Sequence, residues 1–203
     1  MAIEPAPSPL RRVRHLLWGF VAVAMLAFAG LYLGRPSGDL PSVPQSTIGG
    51  PFTLTGSDGQ PFSSARLSGR PAAIFFGFSH CPDVCPTTLA RLARLRSALG
   101  KGDDGFSIVF ITVDPERDTP EAVGRYTALF GTPVIGLTGS PAQIAQVRKQ
   151  FGVFAEKAGT GDDYSVDHTA TLFLIDRRGQ FAATITHDEG DEPALAKLKR
   201  LAS

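Results

Sequence analysis

The chain has 203 residues, 43% of them apolar, and a formal charge of +1; this suffices for one core of roughly 150 residues with an appendage. Arg11, Arg12 and Arg14 oppose only Glu4, so residues 16–203 hold 17 basic and 18 acidic side chains, a net −1. A body so near neutrality has no basic face for nucleic acid, which excludes that class of partner.

The first element is the run LLWGFVAVAMLAFAGLYL, Leu16 to Leu33, 18 residues without a charge and ~27 Å long as a helix. It reads as a transmembrane anchor, residues 16–33. Three arginines precede it and only Arg35 closely follows, so residues 1–15 are expected in the cytoplasm and the remainder beyond the membrane. A cleaved signal peptide ending near Ala27-Phe28-Ala29 is the alternative, disfavoured because the apolar run exceeds the usual ~7–15 residues. Either way the body is exported. Residues 34–51 hold four prolines and four glycines and read as a tether, able to reach about 60 Å when extended.

From Phe52 onward the chain reads as one domain, 52–203. FTL, the turn SDGQ and Pro61-Phe62 predict an N-terminal β-hairpin. AAIFFGF (Ala72 to Phe78) and FSIVFITV (Phe106 to Val113) are continuous apolar runs, as expected of strands covered on both faces. Leu89, Leu92, Leu95 or Arg96, and Leu99 recur between them at helical spacing, completing a βαβ unit. Asp118-Thr119-Pro120-Glu121 predicts a helix start, an N-cap candidate with proline at or near the first helical position, and the helix stops near Gly131. A short strand, Val134 to Leu137, precedes Ser140-Pro141-Ala142-Gln143, which has the form of a capping box. Thr169 to Ile175, the turn Asp176 to Gly179, and Phe181 to Thr186 form a second hairpin, and Glu192 to Leu201 a closing helix. The order predicts an α/β fold with a mixed central sheet flanked by helices.

Chemistry concentrates in SHCPDVCPTTL. Cys81 and Cys85 are the only cysteines, four apart, just past a buried strand where open α/β sheets present their sites. Residues i and i+4 share a helix face, and the orphan N–H groups of a helix start favour thiolate. A disulfide staple would close only three intervening residues and stabilise little. A redox pair is a stronger reading, since a dithiol at this junction is the thioredoxin arrangement, although its usual spacing is CxxC. A metal site suits the wider spacing: two thiolates recruit copper(I) or zinc. The exported part has no methionine, so a third ligand must be a histidine or carboxylate. His15 is juxtamembrane, His80 adjoins Cys81 with its side chain expected to diverge, and His187 ends a strand in an acidic turn. His168, just before a core-type strand and in a stretch from Phe151 to Glu192 that lacks proline, is the best candidate. Asp83 and Asp167 stand as outer groups or caps; Asp114 and Arg117 stand as loop structure or partner surface.

SHCPDVCPTTL, VDPERDTP (Val113 to Pro120), LTG (Leu137 to Gly139) and VDHTATLFLID (Val166 to Asp176) together resemble the Sco/SenC copper proteins, from about Phe52 to the C-terminus. The resemblance implies a thioredoxin-like fold anchored in the inner membrane with its domain in the periplasm. It also implies copper held by residues matching Cys81, Cys85 and His168, delivered to the binuclear copper A centre of cytochrome c oxidase. The copper-receiving oxidase subunit and an upstream periplasmic copper donor would be the partners. The alternative is a thiol:disulfide oxidoreductase in which Cys81 and Cys85 reduce the oxidase subunit. A peroxidase is disfavoured, because Phe78 stands where a peroxiredoxin-like site needs Thr or Ser and the lone Trp18 lies in the anchor. An interaction module with vestigial cysteines is the remaining class.

Overall fold

A computed structural model describes residues 9–33, 48–161 and 163–203. Residues 1–8 of the expected cytoplasmic segment and 34–47 of the expected tether lie outside the described residues. Contacts divide the chain into a unit ending at Gln45 and a unit of Ser46–Ser203.

In the first unit a single helix, α1 (Pro9–Leu33), begins on a proline and runs 25 residues. It starts before the apolar run because the arginines that precede Leu16 are good helix formers. Leu16, Trp18, Phe20, Leu26 and Phe28 are all exposed, and Val13–Gly30 is long and apolar enough to cross a membrane.

The second unit begins with the hairpin β1 (Thr53–Gly56) and β2 (Pro61–Ser63), paired with Leu54 opposite Phe62. Asp58 Oδ1 accepts from the Gln60 N–H inside the turn. Ile48 packs on the core and the Gly49 N–H donates to Gln150 O, so the compact unit takes in the last residues of the Pro/Gly-rich stretch. Then follow β3 (Ala72–Gly77), α2 (Val84–Ala98) and β4 (Ser107–Thr112), with every residue of both strands buried. The two strands pair in parallel across the helical crossover. α3 (Pro120–Thr127), β5 (Val134–Thr138) and α4 (Pro141–Phe151) continue the α/β alternation. After α4 come β6 (Ala155–Ala158), β7 (Ser165–His168), β8 (Leu172–Ile175), β9 (Phe181–Ile185) and α5 (Asp191–Leu201).

The main sheet has seven strands in the order β2-β1-β5-β4-β3-β8-β9. Its centre, β5-β4-β3, is parallel, and the flanking strands are antiparallel. The wholly buried Phe75, Phe76, Phe106 and Phe110 fill the core, and Phe76, Phe151 and Phe173 meet with ring centroids 5.3–5.9 Å apart. The Ser140 capping box forms as expected, with Gln143 as its reciprocal partner.

The helix start expected at Asp118-Thr119-Pro120-Glu121 forms, with Thr119 capping α3 by accepting from the Ala122 N–H. Asp118 turns inward, because a carboxylate near three donors gains more than one short cap bond. One local expectation needs correction: TATLFLI is not one strand, since β8 takes up only Leu172–Ile175. Thr169 exchanges hydrogen bonds with Phe154 through its N–H and its Oγ1, which ends a separate two-stranded sheet, β6–β7, that was not expected from the sequence. With only four residues per strand, its alternation is too short to stand out from loop.

Candidate metal centre

β3 ends at Gly77 and the chain turns through Ser79 to Asp83 before α2 begins at Val84. Cys81 lies in that turn, partly buried, and Cys85 in the first turn of the helix, wholly buried. Both are free thiols, and the Cys85 N–H donates to Cys81 Sγ at 3.3 Å. Gly77 makes the space: a Cβ there would stand 2.8 Å from Cys85 Sγ. A glycine inside an otherwise continuous apolar run was the signal for this close approach, unread in the sequence.

His168 reaches the cysteines from the end of β7. Its Nε2 is 3.5 Å from Cys85 Sγ. Its Nδ1 is 3.2 Å from Thr169 O, and a carbonyl only accepts, so Nδ1 carries the proton and Nε2 turns its lone pair toward the sulfurs. Phe75 and Phe78 hold the ring edge-on, with centroids 6.1 and 5.8 Å away. Burial lowers the His168 pKa and keeps the imidazole neutral, the form that ligates. Burial, with help from the hydrogen bond to Cys81, pushes the Cys85 thiol far above its ordinary range.

The ligand atoms of Cys81, Cys85 and His168 lie within 4.8 Å of one another, and theirs is the one such cluster among the described residues. Cys81 and His168 line a cleft of about 260 Å³ whose walls also include Phe78, Asp83 and Asp167, with Cys85 buried beneath it. Neither carboxylate joins the cluster. Asp83 stands at the N-cap position of α2 without a side-chain cap bond and accepts from Thr87 Oγ1 at 3.2 Å. His80 points away, with Nδ1 3.8 Å from Asp118 Oδ1, and His187 is exposed.

Asp118, two residues after Glu116, holds the cysteine turn. Its carboxylate is wholly buried and accepts from the Ser79 N–H at 2.9 Å, Ser79 Oγ at 2.5 Å and Thr112 Oγ1 at 2.6 Å. Sequence reading missed this role, because an Asp before Thr-Pro looks the same whether it caps a helix or turns inward. Asp114 and Arg117 go to Tyr164, on the segment that leads into β7.

A dithiol at the strand-to-helix junction of a mixed sheet, faced by one imidazole, defines a thioredoxin-like protein whose site is built from soft metal ligands. The chain belongs to the SCO1/SenC family, whose model matches residues 41–203. The mitochondrial protein SCO2 of Saccharomyces cerevisiae is 34% identical over 212 residues, covering 97% of this chain and 70% of that protein. Copper-bound ScoI of Bradyrhizobium japonicum superposes with a TM-score of 0.69 at 44% identity, covering 76% of this chain and 99% of the other. Copper-bound ScoI of Arabidopsis thaliana gives 0.70 at 34%, covering 75% and 99%.

Proposed function

We propose that this chain is a membrane-tethered copper chaperone. Residues 16–33 anchor it with residues 1–15 in the cytoplasm, residues 34–45 tether it, and the domain, which takes in the end of the Pro/Gly-rich stretch, works in the periplasm. Copper is its cargo, held by Cys81, Cys85 and His168 and handed to the binuclear copper A centre of cytochrome c oxidase. The observation that carries the reading is the convergence of two sulfurs and one imidazole nitrogen within 4.8 Å at an open cleft. Such a donor set suits copper(I), which accepts few soft ligands, whereas a structural zinc ion would lack its fourth. The copper-bound relatives from B. japonicum and A. thaliana support the same cargo. Transfer proceeds by ligand exchange: an acceptor's cysteine or histidine enters through the cleft and displaces this chain's ligands in turn.

X-ray absorption of the reduced, detergent-solubilised full chain loaded with one copper(I) tests the site. Two sulfur neighbours and one nitrogen neighbour are expected. His168→Ala should remove the nitrogen and weaken binding by at least about 10- to 100-fold, the range lost with an outer partner alone. Unchanged affinity in that variant would defeat the three-ligand reading.

Affinity should also depend on pH in a definite direction. Burial keeps Cys85 protonated at neutral pH, so binding it as thiolate releases a proton. Copper(I) affinity therefore rises about tenfold per pH unit for each proton released, between about pH 6 and 8, and falls in acid. Burial lowers the His168 pKa, so its proton adds less to the slope than an ordinary imidazole's would. A competition titration that finds a flat profile would contradict this.

A second reading rests on the asymmetry of the pair, with Cys81 reachable from the cleft and Cys85 beneath it. In that role Cys81 attacks an acceptor disulfide and Cys85 resolves the mixed disulfide. Two thiols here become one disulfide, and one acceptor disulfide becomes two thiols. Persistence of disulfide exchange with intact copper affinity in His168→Ala would favour this reading over the chaperone.

A further inference from the structure

The two limbs of the site belong to different sheets. Cys81 and Cys85 follow β3 of the seven-stranded sheet, while His168 ends β7, which pairs only with β6. No ladder pairs β7 itself with β3; the ladder between β3 and β8 fixes the chain only from Leu172 onward, opposite Phe75, so the docking of the β6–β7 hairpin is needed to place the imidazole against the sulfurs. A slip of one residue in the register that places His168 opposite Ala155 would turn the imidazole to the other face.

The hairpin is held at both ends. At its base Phe154 and Thr169 exchange hydrogen bonds. At the far end, Tyr164 immediately precedes β7, and there the loop after β4 grips it. Tyr164 Oη donates to Asp114 Oδ1 at 2.7 Å. The Arg117 guanidinium lies 3.6 Å from the Tyr164 ring centroid, its Nη1 donates to Tyr164 O at 2.9 Å, and its Nε donates to Asp114 Oδ2 at 2.6 Å. On another side the same guanidinium lies 5.9 Å from the ring of Phe78, the ring that stands edge-on to His168. The next residue, Asp118, grips the cysteine turn through Ser79.

We infer that Arg117 is a positioning residue for His168: with Asp114 it clips Tyr164, and so registers the imidazole limb against the cysteine limb that its neighbour Asp118 holds. The inference rests on the reading of His168 as a copper ligand. A planar guanidinium suits the task, since it stacks on the ring and donates in two directions at once, which an ammonium does not.

The experiment is a double-mutant cycle on the full chain in detergent, with copper(I) affinity read by competition against bicinchoninate. Arg117→Ala should weaken binding about 10- to 100-fold, as expected of a group that orients a ligand. In a His168→Ala background the same substitution should add nothing. Equal losses in both backgrounds, or no loss with His168 present, would overturn the clip. Tyr164→Leu, which keeps apolar bulk but lacks the hydroxyl and the aromatic face, repeats the comparison should Arg117→Ala fail to fold. The copper-free protein supplies an independent readout: nuclear Overhauser contacts from the His168 ring to Phe78 should weaken in Arg117→Ala, and their persistence at full strength would also overturn the clip. Unchanged affinity in His168→Ala alone would instead refute the ligand reading, leaving the clip to be judged by the copper-free contacts.

Discussion

Cys85→Ser is expected to weaken copper(I) binding by more than about 100-fold, beyond the 10–100-fold attributed to outer partners of a ligand. The hydroxyl is a hard donor that stays protonated, and copper(I) prefers soft sulfur. The substitution conserves shape, which matters because Cys85 is wholly buried and a Cβ at Gly77 would stand only 2.8 Å from its sulfur. A buried hydroxyl without a good partner costs about 1–3 kcal/mol, so folding should be weakened but retained. Competition against a chromophoric copper(I) chelator, with circular dichroism on the same sample, separates the two effects. An affinity within tenfold of the parent would remove Cys85 from the ligand set.

Asp118→Ala should be the most damaging change to stability near the site. It deletes the acceptor of three hydrogen bonds, leaving the buried Thr112 Oγ1 and the Ser79 N–H without it and Ser79 Oγ with only His80 Nδ1 at 3.1 Å. Hydrogen bonds to a charged group contribute about 1.5–3 kcal/mol each, and orphaned buried donors are costly. A loss of at least about 3 kcal/mol follows, which in a domain of this size lowers Tm by on the order of 10 °C. Hydrogen exchange at Ser79 should accelerate more than at Ala73, inside β3, because the cysteine turn loses its tie while the strand keeps its ladder. A shift of Tm below about 2 °C would show that the carboxylate is not the tie. Asp118→Asn, which retains one acceptor oxygen and the shape, should fall between.

The legible parts of the fold are those whose signal is local. AAIFFGF and FSIVFITV announce buried strands because covering on both faces removes any polar alternation, and both runs became central strands with every strand residue buried. Ser140 and Gln143 announce a helix start because the capping box needs only those two side chains and the backbone between them. Cys81 and Cys85 were legible as a pair from their four-residue spacing, but Cys81 lies in the turn before α2, not on the helix face expected, and the turn brings its Sγ to the Cys85 N–H. His168 emerged by elimination among four histidines, and the structure brings its Nε2 to 3.5 Å from Cys85 Sγ.

The hairpin of β6 and β7 was not legible, since strands of four residues in which only Val166 is buried carry too little alternation to separate them from loop. Nor was the division of labour in VDPERDTP: Asp114, Arg117 and Asp118 are all polar residues in a loop, and composition does not say which turns inward. Their partners, Tyr164 and Ser79, are 50 and 39 residues away from Asp114 and Asp118 respectively.

By itself, then, the sequence determined the alternation of strands and helices and the apolar N-terminal run, and it pointed to two thiols and one imidazole as candidate donors. Only the tertiary structure decided that Cys85 is buried while Cys81 meets the cleft, that the imidazole presents Nε2 to the sulfurs, and that one loop grips both limbs. The physical reason is range. Helix and strand periodicity and capping act over a few residues and are written in order along the chain, whereas burial, tautomer and docking arise from groups that become neighbours only when the sheets pack.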